Sequence, residues 1–166
     1  RPQSQSAPTS TRSSKAKGKG KKRERPFVST RFRDFKCGHI YHVYQRGNHR
    51  RKVFLTDLER FTYLEHLFRF ARRYNVKIHN FCLMSTHVHL VVEQRQKHGI
   101  SDMMRDLQSG HAREQNRRLH TFGNLWTQHF GCKHVKNNAQ FQTLMWYVGN
   151  NPVKTGRCAR AEDYLW

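Results

Sequence analysis

Residues 76 to 93 constrain the fold of this chain more than any other stretch. Val76 to Met84 and His87 to Glu93 are two runs rich in β-branched and apolar side chains, separated only by the polar pair Ser85-Thr86. So short a polar break suits a tight reversal, and the two runs are expected to pair as a hairpin. Upstream, His39 to Tyr44 has the same aromatic and β-branched make-up and stops at Gly47-Asn48, a turn signal. It predicts a first strand.

Helical spacing fills the intervals. After Asp57, apolar residues recur at Phe61, Tyr63, Leu64, Leu67, Phe68 and Ala71 until Tyr74-Asn75, predicting a helix of about four turns. Ser101-Asp102 can cap a second helix through Met103, Met104 and Leu107 that ends near Arg113, Arg117 and Arg118. Phe122 to Gly131 reads as a Gly-rich, aromatic link. Asn137-Asn138 can cap a last helix bearing Phe141, Leu144, Met145, Trp146 and Val148, which Pro152 stops near Asn151. Strand, helix, two strands, helix and final helix imply an α+β fold with a mainly antiparallel sheet and helices packed on one face. No internal repeat interrupts the pattern.

Charge indicates the partner. Lys and Arg number 32 against 11 acidic residues, a formal charge of +21 that predicts a polyanion, nucleic acid first. Arg1 to Arg25 carry nine basic residues and one acidic, and Lys15 to Arg25 is almost devoid of apolar side chains. Residues 1–26 are therefore expected to be a disordered basic arm, and residues 27–166 one domain that is basic in its own right. The four cysteines are scattered, with no Cys-x-x-Cys pair, which fits a reducing compartment. No apolar run reaches the ~18 to 20 residues of a membrane helix, so a cytoplasmic, nucleoid-associated protein is expected.

His87-Val88-His89 is the chemical centre of the sequence. Residues two apart in a strand point to one face, so the two imidazoles can converge on one metal ion while Val88 enters the core. Tyr147 and Asn151, four apart, share one face of the last helix. The Asn151 amide oxygen is a neutral, hard ligand able to join the imidazoles around Mg²⁺ or Mn²⁺. Arg46, Asn48, Arg50, Arg51 and Lys52 form a cationic loop after the first strand, suited to phosphates and exposed bases. Tyr44, Trp126 and Phe130 are candidates for base stacking. Cys132 and His134 with His129 offer a zinc alternative, at no standard finger spacing.

Three blocks, in order, carry a resemblance: Tyr41-His42-Val43-Tyr44-Gln45-Arg46-Gly47-Asn48, Met84 to Glu93 around His87-Val88-His89, and Tyr147-Val148-Gly149-Asn150-Asn151-Pro152-Val153-Lys154-Thr155-Gly156. They resemble blocks of the REP-associated tyrosine transposases, single-tyrosine members of the HUH endonucleases, over roughly residues 38–166. The resemblance implies the ferredoxin-like HUH endonuclease fold, with His87 and His89 as the metal-binding pair and Asn151 as the third ligand. It implies Tyr147 as the nucleophile, making a 5′-phosphotyrosine link and a free 3′-hydroxyl. Lys154 is read from the residues as a further DNA-binding cation, able to favour the anionic form of the Tyr147 phenol. The implied partner is a single-stranded DNA hairpin with a short flanking guide sequence, engaged by a monomer, with a helix-exchanging dimer as the alternative. Two departures stand out: Thr86 where members often carry Asn, and Gln128-His129-Phe130 where an Arg-bearing segment usually follows the Trp. The other reading of the residues is a non-catalytic nucleic-acid-binding α+β domain, which predicts no cleavage and binding indifferent to chelation.

Overall fold

The computed structural model describes residues 34–127 and 129–166, so the expected basic arm over residues 1–26 lies outside the described residues. The chain runs β1 (Ile40–Arg46), α1 (Asp57–Arg73), β2 (Val76–Met84), β3 (His87–Gln94), α2 (Gly99–Arg118), β4 (Gly131–His134), α3 (Asn138–Gly149) and α4 (Asn151–Lys154). The strands form one sheet in the order β2-β3-β1-β4, every pair antiparallel. The βαββαβ succession with β1 and β3 central is the ferredoxin-like arrangement that the resemblance implied. β2 and β3 pair from Met84↔His87 to Val76↔Gln94 around Ser85-Thr86, as the polar break foretold.

The sheet separates two apolar clusters. On one face Tyr41, Val43, Leu83, Val88, Leu90 and Val92 pack against Tyr63 and Leu67 of α1 and Ile100, Met103, Met104 and Leu107 of α2. Val88, Leu90 and Val92 are wholly buried, each stabilising the fold by roughly 1.5 to 3 kcal/mol in transfer terms before entropy is counted. On the other face Cys82, Met84 and Val91 pack against Val148, with Phe141, Leu144, Met145 and Tyr147 around them. The expectation of helices on one face thus holds for α1 and α2, whereas α3 lies on the opposite face. Its apolar residues find a partner in Val91, which alternation turns away from Val88, Leu90 and Val92.

Helix ends are fixed by specific contacts. Thr56 caps α1: its Oγ1 accepts the Glu59 N–H at 3.3 Å, and Glu59 Oε2 accepts the Thr56 N–H at 3.1 Å. Glu59 also pairs with Arg118 at the end of α2, tying the two helices together. Phe61 and Phe68, read as part of the buried stripe of α1, are 56% and 48% exposed, and the buried face is Tyr63, Leu67 and Ala71. α2 begins at Gly99, ahead of Ser101-Asp102, and has no side-chain cap. A Cβ on Gly99 would stand 2.5 Å from the Tyr74 carbonyl oxygen, so only glycine lets α2 start against the end of α1. Asn137 caps α3 by accepting the Gln140 N–H at 2.9 Å, as expected.

The presumed link from Phe122 to Gly131 ends in a strand. β4 pairs with β1 from Tyr41↔His134 to Tyr44↔Gly131 and closes one edge of the sheet. Among the described residues no helix is long and apolar enough to cross a membrane.

Candidate active site

The site lies on the α3 face of the sheet. Alternation puts His87, His89 and Val91 of β3 on this face, and the register of β1 against β3 brings His42 and Tyr44 beside them. His42 Nε2 lies 2.9 Å from His89 Nδ1, the two rings stacked with centroids 5.1 Å apart. The His87 and His89 rings are edge-on at 5.0 Å. Thr86 Oγ1 is 3.0 Å from His87 Nδ1.

α3 brings the phenol. The Tyr147 ring is edge-on to His89 at 5.7 Å and to His42 at 6.2 Å. The helix is held over the sheet by Val148 and by Asn80, whose Nδ2 donates to the Met145 carbonyl at 3.2 Å. Tyr147 and Asn151 do not share one helix, as the spacing had suggested: α3 ends at Gly149, and Asn151 opens α4. Pro152 sits in the first turn of α4, where a missing N–H costs nothing. Asn150, at φ −91° and ψ 4°, bridges the helices, and the Asn150 N–H still donates to Trp146 O at 2.9 Å. The four-residue step is preserved through this join.

Asn151 is 6% exposed, and its Oδ1 is buried without a hydrogen bond of ordinary geometry. Its amide reaches the His87 ring. Burial holds all three imidazoles neutral. His89 is pushed down to about 3, by burial first and then by His42, His87 and Arg46. His42 is pushed down to about 4 by burial and Lys133. His87 is lowered by burial and by Arg46, the neighbouring Asn151 amide opposing. Neutral imidazoles carry the lone pair a metal requires. Among the described residues no three His, Cys, Asp or Glu side chains are gathered to hold a metal ion, so a metal centre here would have to draw on the Asn151 amide beside the His87 and His89 imidazoles. That set fits a hard or borderline divalent cation with water and phosphate oxygens completing its shell, and gives no support to the zinc alternative at Cys132, His134 and His129.

Cationic residues surround this centre. Lys154 Nζ lies 5.1 Å from the centroid of the Tyr147 ring and 4.8 Å from that of Trp146. Arg46, exposed at the end of β1, is Cα partner to His87. Asn48, Arg50, Arg51 and Lys52 follow in a loop pinned by Gly47 N–H to Thr86 O and Asn48 N–H to Leu125 O, both 2.8 Å. A Cβ on Gly47 would stand 2.2 Å from the Arg51 carbonyl oxygen, so glycine is what lets the loop fold back here. His49 and Arg50 adopt left-handed backbone, φ 49° and 60°, which turns this short segment sharply.

Two of the stacking candidates belong elsewhere. Trp126 is buried and its indole N–H donates to Gln108 O at 3.1 Å, while Phe130 stacks on Phe35 in the core. Tyr44 alone stands at the site, 6.3 Å from His89, its ring lying across Gly131. Sequence reasoning missed His42, Lys133 and Arg157, the last donating from Nη2 to Ser85 Oγ at 3.0 Å beside the β2–β3 turn. Alternation within Tyr41-His42-Val43-Tyr44 was the available signal for His42; for Arg157 there was none.

The α+β sheet thus carries its His-x-His strand beneath a helical tyrosine. Residues 36–151 match the IS200-like transposase family, and this chain belongs to that family. Its fold is similar to that of the REP-associated tyrosine transposase solved bound to a REP hairpin, with TM-score 0.69, 16% identity, and 84% of this chain and 81% of that one covered. It is also similar to a transposase-like protein from Deinococcus radiodurans R1, with TM-score 0.50, 20% identity, and 69% of this chain and 92% of that one covered. No curated protein sequence matches it.

Proposed function

We infer that this protein is a metal-dependent transposase that nicks and rejoins single-stranded DNA beside REP-like hairpins, through a 5′-phosphotyrosine intermediate. The observation that carries this reading is the buried Asn151 amide beside His87, at the end of the helical segment that brings Tyr147 against His89. His87, His89 and Asn151 would hold Mg²⁺ or Mn²⁺. A bound divalent cation supplies polarisation of the scissile phosphate and stabilisation of the leaving 3′ oxygen.

The remaining chemistry belongs to the chain. Tyr147 Oη attacks the phosphorus and the bond from phosphorus to the 3′ oxygen breaks, leaving DNA joined through its 5′ phosphate to the tyrosine and a free 3′-hydroxyl. The new ester retains the energy of the old one, so another 3′-hydroxyl can attack it and restore a phosphodiester. Lys154, against the Tyr147 ring, is placed to offset negative charge as the phenol loses its proton. Arg46, Asn48, Arg50, Arg51 and Lys52 grip the strand and the hairpin flank. Tyr147 and the histidines belong to one chain, so a monomer can act in cis.

The test is incubation with single-stranded hairpins bearing short flanks, with and without Mg²⁺ or Mn²⁺, resolved on denaturing gels. A covalent protein–DNA adduct that requires the cation is expected, and the blunt duplex of the same sequence should be a poor substrate. Binding without cleavage at any cation concentration would leave only a DNA-binding domain.

A further inference from the structure

The two rings of the His-x-His pair are each held at Nδ1. His89 Nδ1 meets His42 Nε2 at 2.9 Å, and His87 Nδ1 meets Thr86 Oγ1 at 3.0 Å. These partners come from different places, a neighbouring strand and the hairpin turn, yet both leave Nε2 outside the contact. Neutral imidazole carries one hydrogen, on either nitrogen, and the nitrogen without it is the ligand. Two ring nitrogens 2.9 Å apart hold a single hydrogen between them. If His42 donates it, the hydrogen of His89 sits on Nε2 and blocks that atom. If His89 donates it, Nε2 is open.

We propose that His42 is a positioning residue that accepts the Nδ1–H of His89 and so holds His89 in the tautomer whose Nε2 lone pair is free to ligate. The inference rests on the metal-centre reading above for its purpose, but the tautomer itself exists without metal. Burial gives the contact its strength, because the His42 ring is 9% exposed and little water competes for the hydrogen. Its position is set by the sheet: His42 lies opposite Val91, two residues beyond His89, so the rings overlap diagonally across β1 and β3. Partners of this kind fix ring orientation as well as protonation at metal-binding histidines.

The experiment is two-bond ¹H–¹⁵N correlation of the histidine rings in the metal-free full chain, which reports the protonated nitrogen directly. His89 is expected to carry hydrogen on Nδ1. His42→Phe keeps a ring but offers no acceptor, and should weaken Mn²⁺ binding about 10- to 100-fold by calorimetry while the thermal midpoint stays close to wild type. His42→Gln, whose Oε1 can accept the same hydrogen, should recover most of the affinity. A wild-type His89 protonated on Nε2, or a His42→Phe variant binding Mn²⁺ as tightly as wild type, overturns the proposal. Should His42→Phe fail to fold, the wild-type spectrum decides alone. If His89 carries the hydrogen on Nδ1 but wild type binds no Mn²⁺, the tautomer assignment stands and the metal-centre reading falls.

Discussion

The Tyr147 ring stands edge-on to the His89 imidazole, centroids 5.7 Å apart and planes at 78°. The contact joins α3 to β3 and uses the ring of the tyrosine, leaving its hydroxyl out of the packing. Tyr147→Phe should therefore preserve the fold, cation binding and hairpin affinity while abolishing the covalent adduct. Denaturing gels read the adduct and calorimetry the cation. An adduct that survives in Tyr147→Phe would assign the nucleophile to another residue.

His87→Ala and His89→Ala each remove a proposed ligand and keep the phenol. Both should weaken Mn²⁺ binding and slow strand cleavage by at least tenfold, on the order of 1.4 kcal/mol or more, with partial rescue by excess Mn²⁺ that Tyr147→Phe does not show. Asn151→Ala should fall between, because water can replace a neutral amide ligand.

Buried neutral histidines make stability depend on pH in a stated direction. His42 and His89 titrate near 6.5 when unfolded and are pushed down to about 4 and about 3 in the fold. His87 and His111 are lowered by burial as well. Between pH 6.5 and 4 the unfolded chain binds more protons, so stability rises with pH and is lost as pH falls. Each such group contributes at most ~1.4 kcal/mol per pH unit. Urea unfolding of the metal-free protein at pH 7.0, 6.0 and about 5.0 should show a falling midpoint, already evident above the range where carboxylates titrate. A flat midpoint over that interval would contradict the burial of the histidine cluster.

Gly131 exists to admit Tyr44. A Cβ at Gly131 would stand 2.2 Å from two carbons of the Tyr44 ring. Gly131→Ala should cost about 1 to 3 kcal/mol by forcing that ring aside. In a Tyr44→Ala background the same change should cost less than about 1 kcal/mol, because the clash is gone. Equal costs in the two backgrounds would show that the ring does not lie across β4.

The hairpin of Val76–Met84 and His87–Gln94, β1, the long helices and the His-x-His strand were legible because each follows from local periodicity and turn chemistry. β4 was not. Its four residues, Gly131 to His134, carry no alternating pattern and become a strand only because β1 offers a free edge. Trp126 and Phe130 were ambiguous for the same reason: an aromatic side chain is identical in a core and at a DNA surface until its neighbours are known. Nor could spacing reveal that Pro152 starts a new helix rather than ending the old one.

What the sequence by itself determined is which chemically active side chains share a face. Two imidazoles two apart in a strand must share a face, and a tyrosine and an amide four apart must lie near one another if the chain stays helical, since both rules are properties of the backbone. What only the tertiary structure decided is how these pieces meet. The β1–β3 register places His42 on His89, the apolar residues of α3 bring Tyr147 to the face opposite α1 and α2, and the join at Asn150 turns Asn151 inward beside His87. Those contacts span 47 residues between His42 and His89. No local rule reaches that far: register is fixed by burying Val88, Leu90 and Val92 on one face, and the histidines take the positions that remain on the other.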